Sequence, residues 1–74
     1  MADQTLDAKG LNCPLPILRA KKKLNSMEMG QILEITATDP GSVKDFEAFC
    51  RTTGNTLISS NQNGDDYIFE IKRS

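Results

Sequence analysis

The sequence predicts an α+β fold, a two-layer α/β sandwich in which a mixed four-stranded sheet carries two helices on one face. Apolar residues recur at helical spacing in two segments and alternate with polar residues in four others, in the order βαβαββ. The composition, 38% hydrophobic and 26% charged, is typical of a globular chain with enough apolar positions for such a core. A length of 74 residues fits one small domain, so we assign residues 1–74 to a single domain.

The first half of the chain predicts a strand, a helix and a second strand. Residues 5–8 form the first strand, because Leu6 and Ala8 alternate with polar residues, and Gly10 ends it. Residues 17–24 form a helical run whose apolar side faces the sheet. That side contains Ile17, Ala20, Leu24 and Met27, which recur at helical spacing, with Leu18 beside them. Residues 31–38 alternate again, which places Leu33, Ile35 and Ala37 on the buried face of a strand.

The second half predicts a helix and a hairpin. Ser42 with Asp45 three residues later is a capping-box pattern, and Gly54 stands where a helix C-cap is expected, so the helix covers residues 42–53. Its apolar stripe contains Val43, Phe46, Phe49 and Cys50. Strands at 56–62 and 65–72 are joined by Asn63-Gly64, a dipeptide favoured in type I′ turns. Tyr67, Phe69 and Ile71 share one face of the last strand.

The segment Cys13-Pro14-Leu15-Pro16 lies directly before the first helix and holds the main candidate site. Pro14 suits the first helical position, which makes Cys13 the N-cap, and Pro16 then falls at the third position. The N–H groups of Leu15 and Ile17 are left to face the Cys13 sulfur. Because a helix N-terminus is partly positive, it lowers the pKa of a cysteine placed there. We therefore expect Cys13 to be an exposed, partly ionised nucleophile.

Composition excludes several other functions. A net charge of −1 and a pI near 5.2 disfavour a general nucleic-acid binder. The sequence has no run of 18 apolar residues and no leader pattern, so we expect a cytoplasmic protein without a membrane segment. It contains no histidine, which rules out a Cys-His dyad and an ordinary zinc site. We expect neither a cofactor nor a metal.

Three other features have two interpretations each. Arg19, Lys21, Lys22 and Lys23 follow the cysteine and are either a solvated helix face or, with Leu18, a docking surface for acidic partners. Cys50 lies on the apolar stripe, which predicts a buried core cysteine; the alternative is a resolving thiol that pairs with Cys13. Asp39 precedes Pro40 and forms a turn or contacts a partner.

The chain resembles the TusA (SirA-like) sulfur carrier family. The resemblance rests on the segment from Leu6 to Pro16, on Asp39-Pro40-Gly41-Ser42, on Phe49-Cys50 and on Tyr67-Ile68-Phe69. It implies a cytosolic carrier that holds sulfane sulfur as a persulfide on Cys13, with Gly10, Pro14, Leu15, Pro16 and Ile17 as the supporting motif. The implied partners are a cysteine desulfurase or rhodanese-type donor and an acceptor thiol protein, in tRNA thiolation, sulfur oxidation or molybdenum-cofactor assembly. Leu15 stands where the tRNA-pathway pattern has an acidic residue, so the pathway stays open.

Three functions therefore compete. The first is a sulfur carrier in which Cys13 alone does covalent chemistry, acting as a monomer in transient complexes and turning over only between partners. The second is a thiol oxidoreductase or redox sensor that pairs Cys13 with Cys50, although the sequence has no Cys-x-x-Cys. The third is a noncatalytic binding or regulatory module, for instance for RNA, against which the acidic pI and only four aromatic residues count.

Overall fold

The computed structural model describes residues 2–74, so Met1, part of the assigned domain, lies outside the described residues. The elements are β1 (Gln4–Ala8), α1 (Leu15–Asn25), β2 (Ile32–Ala37), α2 (Ser42–Thr53), β3 (Thr56–Asn63) and β4 (Asp66–Lys72). The sheet has the order β1-β2-β4-β3, in which β1 and β2 are parallel and the other neighbours antiparallel. The predicted α+β sandwich with a mixed four-stranded sheet is confirmed.

The core fills the space between the helices and one face of the sheet. Alternation correctly assigned the inward positions of the central strands, since Leu33, Ile35, Ala37, Phe69 and Ile71 are all fully buried. Ala20, Leu24 and Met27 of the α1 segment and Phe46, Phe49 and Cys50 of α2 close the core from above. The rings of Phe46 and Phe69 lie 4.7 Å apart between centroids and join α2 to the sheet.

The start of α1 differs from the prediction by one residue. The helix begins at Leu15 with Pro14 as its N-cap, so Cys13 is not the cap and Pro16 is at the second helical position rather than the third. The N–H of Leu15 donates to the carbonyl of Asn12 (2.8 Å), and the first helical bond runs from Leu18 N–H to Pro14 O (3.1 Å). Both prolines still fall where no N–H is required, which is why either register satisfied the sequence. The Cys13–Pro14 peptide bond is cis.

The predicted capping box of α2 is not formed. Gly41 is the N-cap and Ser42 is already the first helical residue, so the Ser42 hydroxyl is not in the capping position and makes no capping hydrogen bond. The Ser42 hydroxyl is buried and has no hydrogen-bond partner within residues 2–74. The other end of the helix is as predicted. Gly54 adopts the left-handed conformation (φ +81°) and its N–H donates to the carbonyl of Cys50.

The β3–β4 hairpin turns one residue later than predicted. Asn63 pairs with Asp66, so the two loop residues are Gly64 and Asp65 rather than Asn63 and Gly64. Of these two loop residues, only Gly64 has a positive φ (+63°). A positive φ at the first loop residue alone corresponds to a type II′ turn, and the type I′ prediction is therefore wrong.

The outer strand β3 contains an irregularity near its start. The register shifts between Leu57 and Ser59, which leaves Ile58 as an extra residue opposite β4. Ile58 is one of the few large apolar side chains on the surface of the described chain, at 47% exposure.

Arg73 connects the end of β4 to the end of α1. Its guanidinium donates to the carbonyls of Leu24 (2.9 Å) and Asn25 (3.1 Å) and also to that of Met27. The last carbonyls of a helix lack intrahelical partners and carry partial negative charge, so a partly buried cation there stabilises the helix end. Neither helix within residues 2–74 has the length and apolarity needed to cross a bilayer.

Candidate thiol site

The parallel pairing of β1 and β2 brings two loops together at one edge of the sheet. Ala8, the last residue of β1, pairs with Ala37, the last residue of β2. Both strands end on the same side, so the loop that leads to Cys13 and the loop through Asp39 leave the sheet as neighbours. The N–H of Gly10 donates to the Thr38 hydroxyl (2.9 Å), which fixes the first loop to the second.

Asp39 holds the backbone of the candidate cysteine. One carboxylate oxygen accepts the N–H of Cys13 (2.8 Å), and the other accepts the N–H of Gly41 (3.1 Å). The bond to Gly41 is the local turn that the sequence predicted, whereas the bond to Cys13 joins residues 26 positions apart. Asp39 is therefore a positioning residue for Cys13. Its predicted alternative role, contact with a partner, stays a prediction.

Cys13 is exposed at the mouth of an open groove between α1 and α2. The groove, which we call the thiol groove, has a volume of about 440 Å³ and is lined mainly by Cys13, Pro14, Ile17, Lys21, Asp45 and Phe49. Its walls are largely apolar, with Lys21 and Asp45 as the charged groups. A reagent or a partner side chain can reach the sulfur along this groove.

The electrostatic environment of Cys13 is opposite to the one expected from the sequence. A hydrogen bond to the Asp45 carboxylate raises the pKa of the Cys13 thiol above its ordinary value. Desolvation and the negative charges of Asp45 and Asp39 act in the same direction. The predicted lowering of the pKa by the helix N-terminus is thus contradicted. The helix begins two residues after Cys13, and the N–H of Leu15, which was expected to face the sulfur, is taken by Asn12.

Comparison with known proteins gives the family. Residues 4–73, nearly the whole chain, match the family model described as sulfurtransferase TusA. The chain belongs to the TusA family of sulfur carrier proteins. It is 64% identical to the sulfur carrier protein TusA of Allochromatium vinosum over 72 residues, which are 97% of this chain and 95% of that protein.

Other relatives agree with this membership in the TusA family. A putative sulfur carrier protein of Bacillus subtilis is 46% identical, covering 97% of this chain and 96% of that one. The crystal structure of a SirA-like protein from Desulfitobacterium hafniense superposes with a TM-score of 0.81 at 24% identity, covering 93% and 95% of the two chains. At that identity the match shows a shared fold. The resemblance stated from the Cys-Pro-x-Pro segment is confirmed.

The basic residues that the sequence grouped into one docking surface divide between two grooves of this TusA-family chain. Lys21 lines the thiol groove beside Cys13. Leu6, Leu15, Leu18, Arg19, Lys22 and Lys23 line a second depression of about 690 Å³ between α1 and β1, which we call the basic groove. Leu18 borders both grooves and is 54% exposed. The predicted role of Leu18 and these cations in docking an acidic partner stays a prediction.

Cys50 is buried, as its place on the α2 stripe predicted. Burial raises the pKa of the Cys50 thiol, which makes it a poor nucleophile. Gly10 has a positive φ of +79°, which favours glycine there, and Pro16 is buried beneath the start of α1. The side chain of Ile17 lines the thiol groove, while the expected role of its N–H stays a prediction.

Two residues that matter at this site were missed by sequence reasoning. Asp45 was interpreted as part of a capping box and Asp39 as a turn former or partner contact, and for neither was the approach to Cys13 predicted. The signal that could have found Asp39 is topological, because the loops after two parallel neighbouring strands meet at one edge. In residues 2–74, no three residues among His, Cys, Asp and Glu converge as metal ligands would.

Proposed function

We propose that this protein is a sulfur carrier that accepts a sulfane sulfur on Cys13 and passes it to the thiol of a second protein. The observation that carries the proposal is the placement of Cys13, an exposed thiol on a loop whose backbone is fixed by Asp39, in a chain of the TusA family. The other cysteine is buried, which leaves Cys13 as the thiol within reach of a partner.

Each transfer exchanges a sulfur–sulfur bond for another. In loading, the Cys13 sulfur attacks the outer sulfur of a donor persulfide, the donor S–S bond breaks, and the donor sulfur leaves as a thiol after taking up the proton that Cys13 loses. In delivery, an acceptor thiolate attacks the outer sulfur held on Cys13, the S–S bond to Cys13 breaks, and Cys13 returns to a thiol by taking up the proton that the acceptor thiol lost. No electron is gained or lost overall, so neither step needs a cofactor.

The partners proposed are a donor of the cysteine desulfurase or rhodanese type and an acceptor protein with a free thiol. The carrier acts as a monomer that forms one complex at a time, without binding nucleic acid itself. The cations Arg19, Lys22 and Lys23 support docking of an acidic protein surface on the basic groove, where opposite charges speed and orient the encounter. A reducing compartment such as the cytoplasm suits a protein whose two cysteines act as free thiols.

The test is intact-mass spectrometry of the reduced protein after incubation with inorganic polysulfide, before and after dithiothreitol. We expect the gain of one sulfur atom in the wild type and in Cys50→Ser, its removal by dithiothreitol, and no gain in Cys13→Ser. Reversal by the reductant separates a persulfide from a sulfinic acid of nearly equal mass. If instead the mass of the protein falls by two hydrogens, and if Cys13→Ser and Cys50→Ser each prevent that fall, then Cys13 and Cys50 form a disulfide. That result would replace the carrier function with a redox function. Sulfur uptake that persists in Cys13→Ser would also overturn the proposal.

A further inference from the structure

Two carboxylates converge on Cys13 from the α2 side. A Cβ atom placed on Gly41 would lie 3.6 Å from one oxygen of Asp39 and 3.8 Å from one oxygen of Asp45, so the two groups flank the same glycine. Asp39 is committed to backbone N–H groups through both of its oxygens. The Asp45 oxygens accept no backbone N–H within residues 2–74, and the carboxylate lines the thiol groove with Cys13.

This arrangement favours a protonated sulfur and disfavours an anionic one. The Asp45 carboxylate lies in the same groove as the Cys13 thiol, and hydrogen bonding to it, desolvation and the negative charges of Asp45 and Asp39 raise the pKa of Cys13. Lys21 is the cation that faces the groove from α1. A persulfide S–H is more acidic than a thiol, so a loaded carrier is an anion at neutral pH. That anion cannot donate a hydrogen bond to Asp45 and is repelled by it.

We propose that Asp45 controls how tightly Cys13 holds its sulfur, by stabilising the empty thiol and destabilising the persulfide anion, so that the carrier releases sulfur readily to an acceptor. This inference rests on the proposed function. Glutathione can serve as the exchange partner. The glutathione persulfide anion then reacts reversibly with the Cys13 thiol, and the products are the glutathione thiol and the Cys13 persulfide anion. One S–S bond breaks and one forms, and the proton of Cys13 passes to glutathione. Asp45 biases this equilibrium toward the empty carrier.

The experiment measures the ratio of loaded to empty protein by intact mass, at neutral pH and a fixed ratio of glutathione persulfide to glutathione. Asp45→Asn removes one negative charge with little change in size. The matched control is Glu47→Gln, which removes one negative charge from an exposed position of the same helix. We expect the loaded-to-empty ratio to rise roughly threefold to tenfold in Asp45→Asn, as for a contact between two charges near water, and to stay at the wild-type value in Glu47→Gln.

A second readout follows the rate of Cys13 alkylation by iodoacetamide against pH. Its midpoint should move to lower pH in Asp45→Asn and stay in place in Glu47→Gln, while protection of Cys50 from the reagent reports that each variant is folded. Asp45→Ser removes the same charge and should give the same result if the asparagine variant folds poorly. A ratio in the Asp45 variants equal to that of Glu47→Gln, or below it, overturns the inference. A wild type that takes up no sulfur refutes the proposed function instead, so the two failures are distinguishable.

Discussion

Replacing Asp39 with alanine should both destabilise the protein and impair sulfur transfer from a protein donor. The substitution removes two hydrogen bonds, to the N–H of Cys13 at 2.8 Å and to the N–H of Gly41 at 3.1 Å. Asp39 is half-buried and Cys13 exposed, so each bond stabilises by about 0.5–1 kcal/mol, in the lower part of the range for protein hydrogen bonds. The free energy of unfolding should therefore fall by about 1–2 kcal/mol. For a domain of this size that lowers the melting temperature by about 5–15 °C.

The functional effect of Asp39→Ala should depend on the size of the reagent. Iodoacetamide needs only the thiolate, and removal of a nearby negative charge makes the thiolate easier to form, so Cys13 alkylation should become faster. A protein donor needs the sulfur in a fixed place, and the loop that carries it loses its attachment to the second loop. Transfer from a persulfidated rhodanese-type donor should become slower, measured by mass spectrometry under conditions where the variant is folded.

Asp7→Ala is the control for Asp39→Ala, because within residues 2–74 the Asp7 carboxylate accepts a single hydrogen bond, from the N–H of Lys9 two residues away. We expect a loss of less than about 1 kcal/mol and unchanged transfer in that variant. If Asp39→Ala matches Asp7→Ala in stability and transfer, the reasoning that Asp39 positions Cys13 is wrong. It is equally wrong if alkylation and transfer slow down together.

Two further predictions concern the thiols and the end of α1. Because the pKa of the Cys13 thiol is raised, the thiolate is scarce at neutral pH. The rate of Cys13 alkylation should therefore rise with pH with a midpoint above that of free cysteine. A midpoint at a lower pH than that of free cysteine would contradict the site electrostatics. Arg73→Ala should lower the free energy of unfolding in urea by about 1–3 kcal/mol, since three carbonyls lose a charged donor, and Arg73→Lys should recover part of it. A loss under about 0.5 kcal/mol in Arg73→Ala would show that this contact contributes little.

The regular parts of the fold could be predicted because the residue pattern of each fits a single assignment of helix or strand and of its buried side. Leu33, Ile35 and Ala37 alternate in a strand buried on one side only, so a shift of one residue would expose all three. Gly54 follows an apolar helical stripe and takes the left-handed conformation that a helix end requires. These signals are local, and the structure agrees with them.

The starts of the helices were harder because the sequence admits two registers. Prolines at positions 14 and 16 fit the first turn of a helix whether it begins at Pro14 or at Leu15, since neither choice costs a hydrogen bond. Ser42 is a preferred N-cap residue, yet Gly41 takes that position and Ser42 enters the helix. The preferences of single residues for the helix N-terminus cannot decide where a helix begins when two neighbouring positions both suit them.

The site itself was predicted only in part. Cys13 was identified from its local motif, and its exposure follows from a loop that leaves the sheet edge. Its electrostatics depend on Asp39 and Asp45, which come close only through the pairing of β1 with β2 and the packing of α2. The helix N-terminus is a local feature that the sequence shows, whereas the charges of Asp39 and Asp45 come near the sulfur only in the folded chain. For a small thiol site, the sign of the pKa shift is decided by such long-range neighbours.

The irregularity at Ile58 has a consequence for how this protein meets other chains. A strand at the edge of a sheet presents a row of unpaired N–H and C=O groups, to which a strand of another protein can add. The extra residue interrupts the regular spacing along β3 and increases its local twist, so an incoming strand cannot pair along its full length. Aggregation through this edge is thereby discouraged. Under the proposed function the carrier must separate from its donor before it meets its acceptor, and an edge that does not hold on to strands favours that separation.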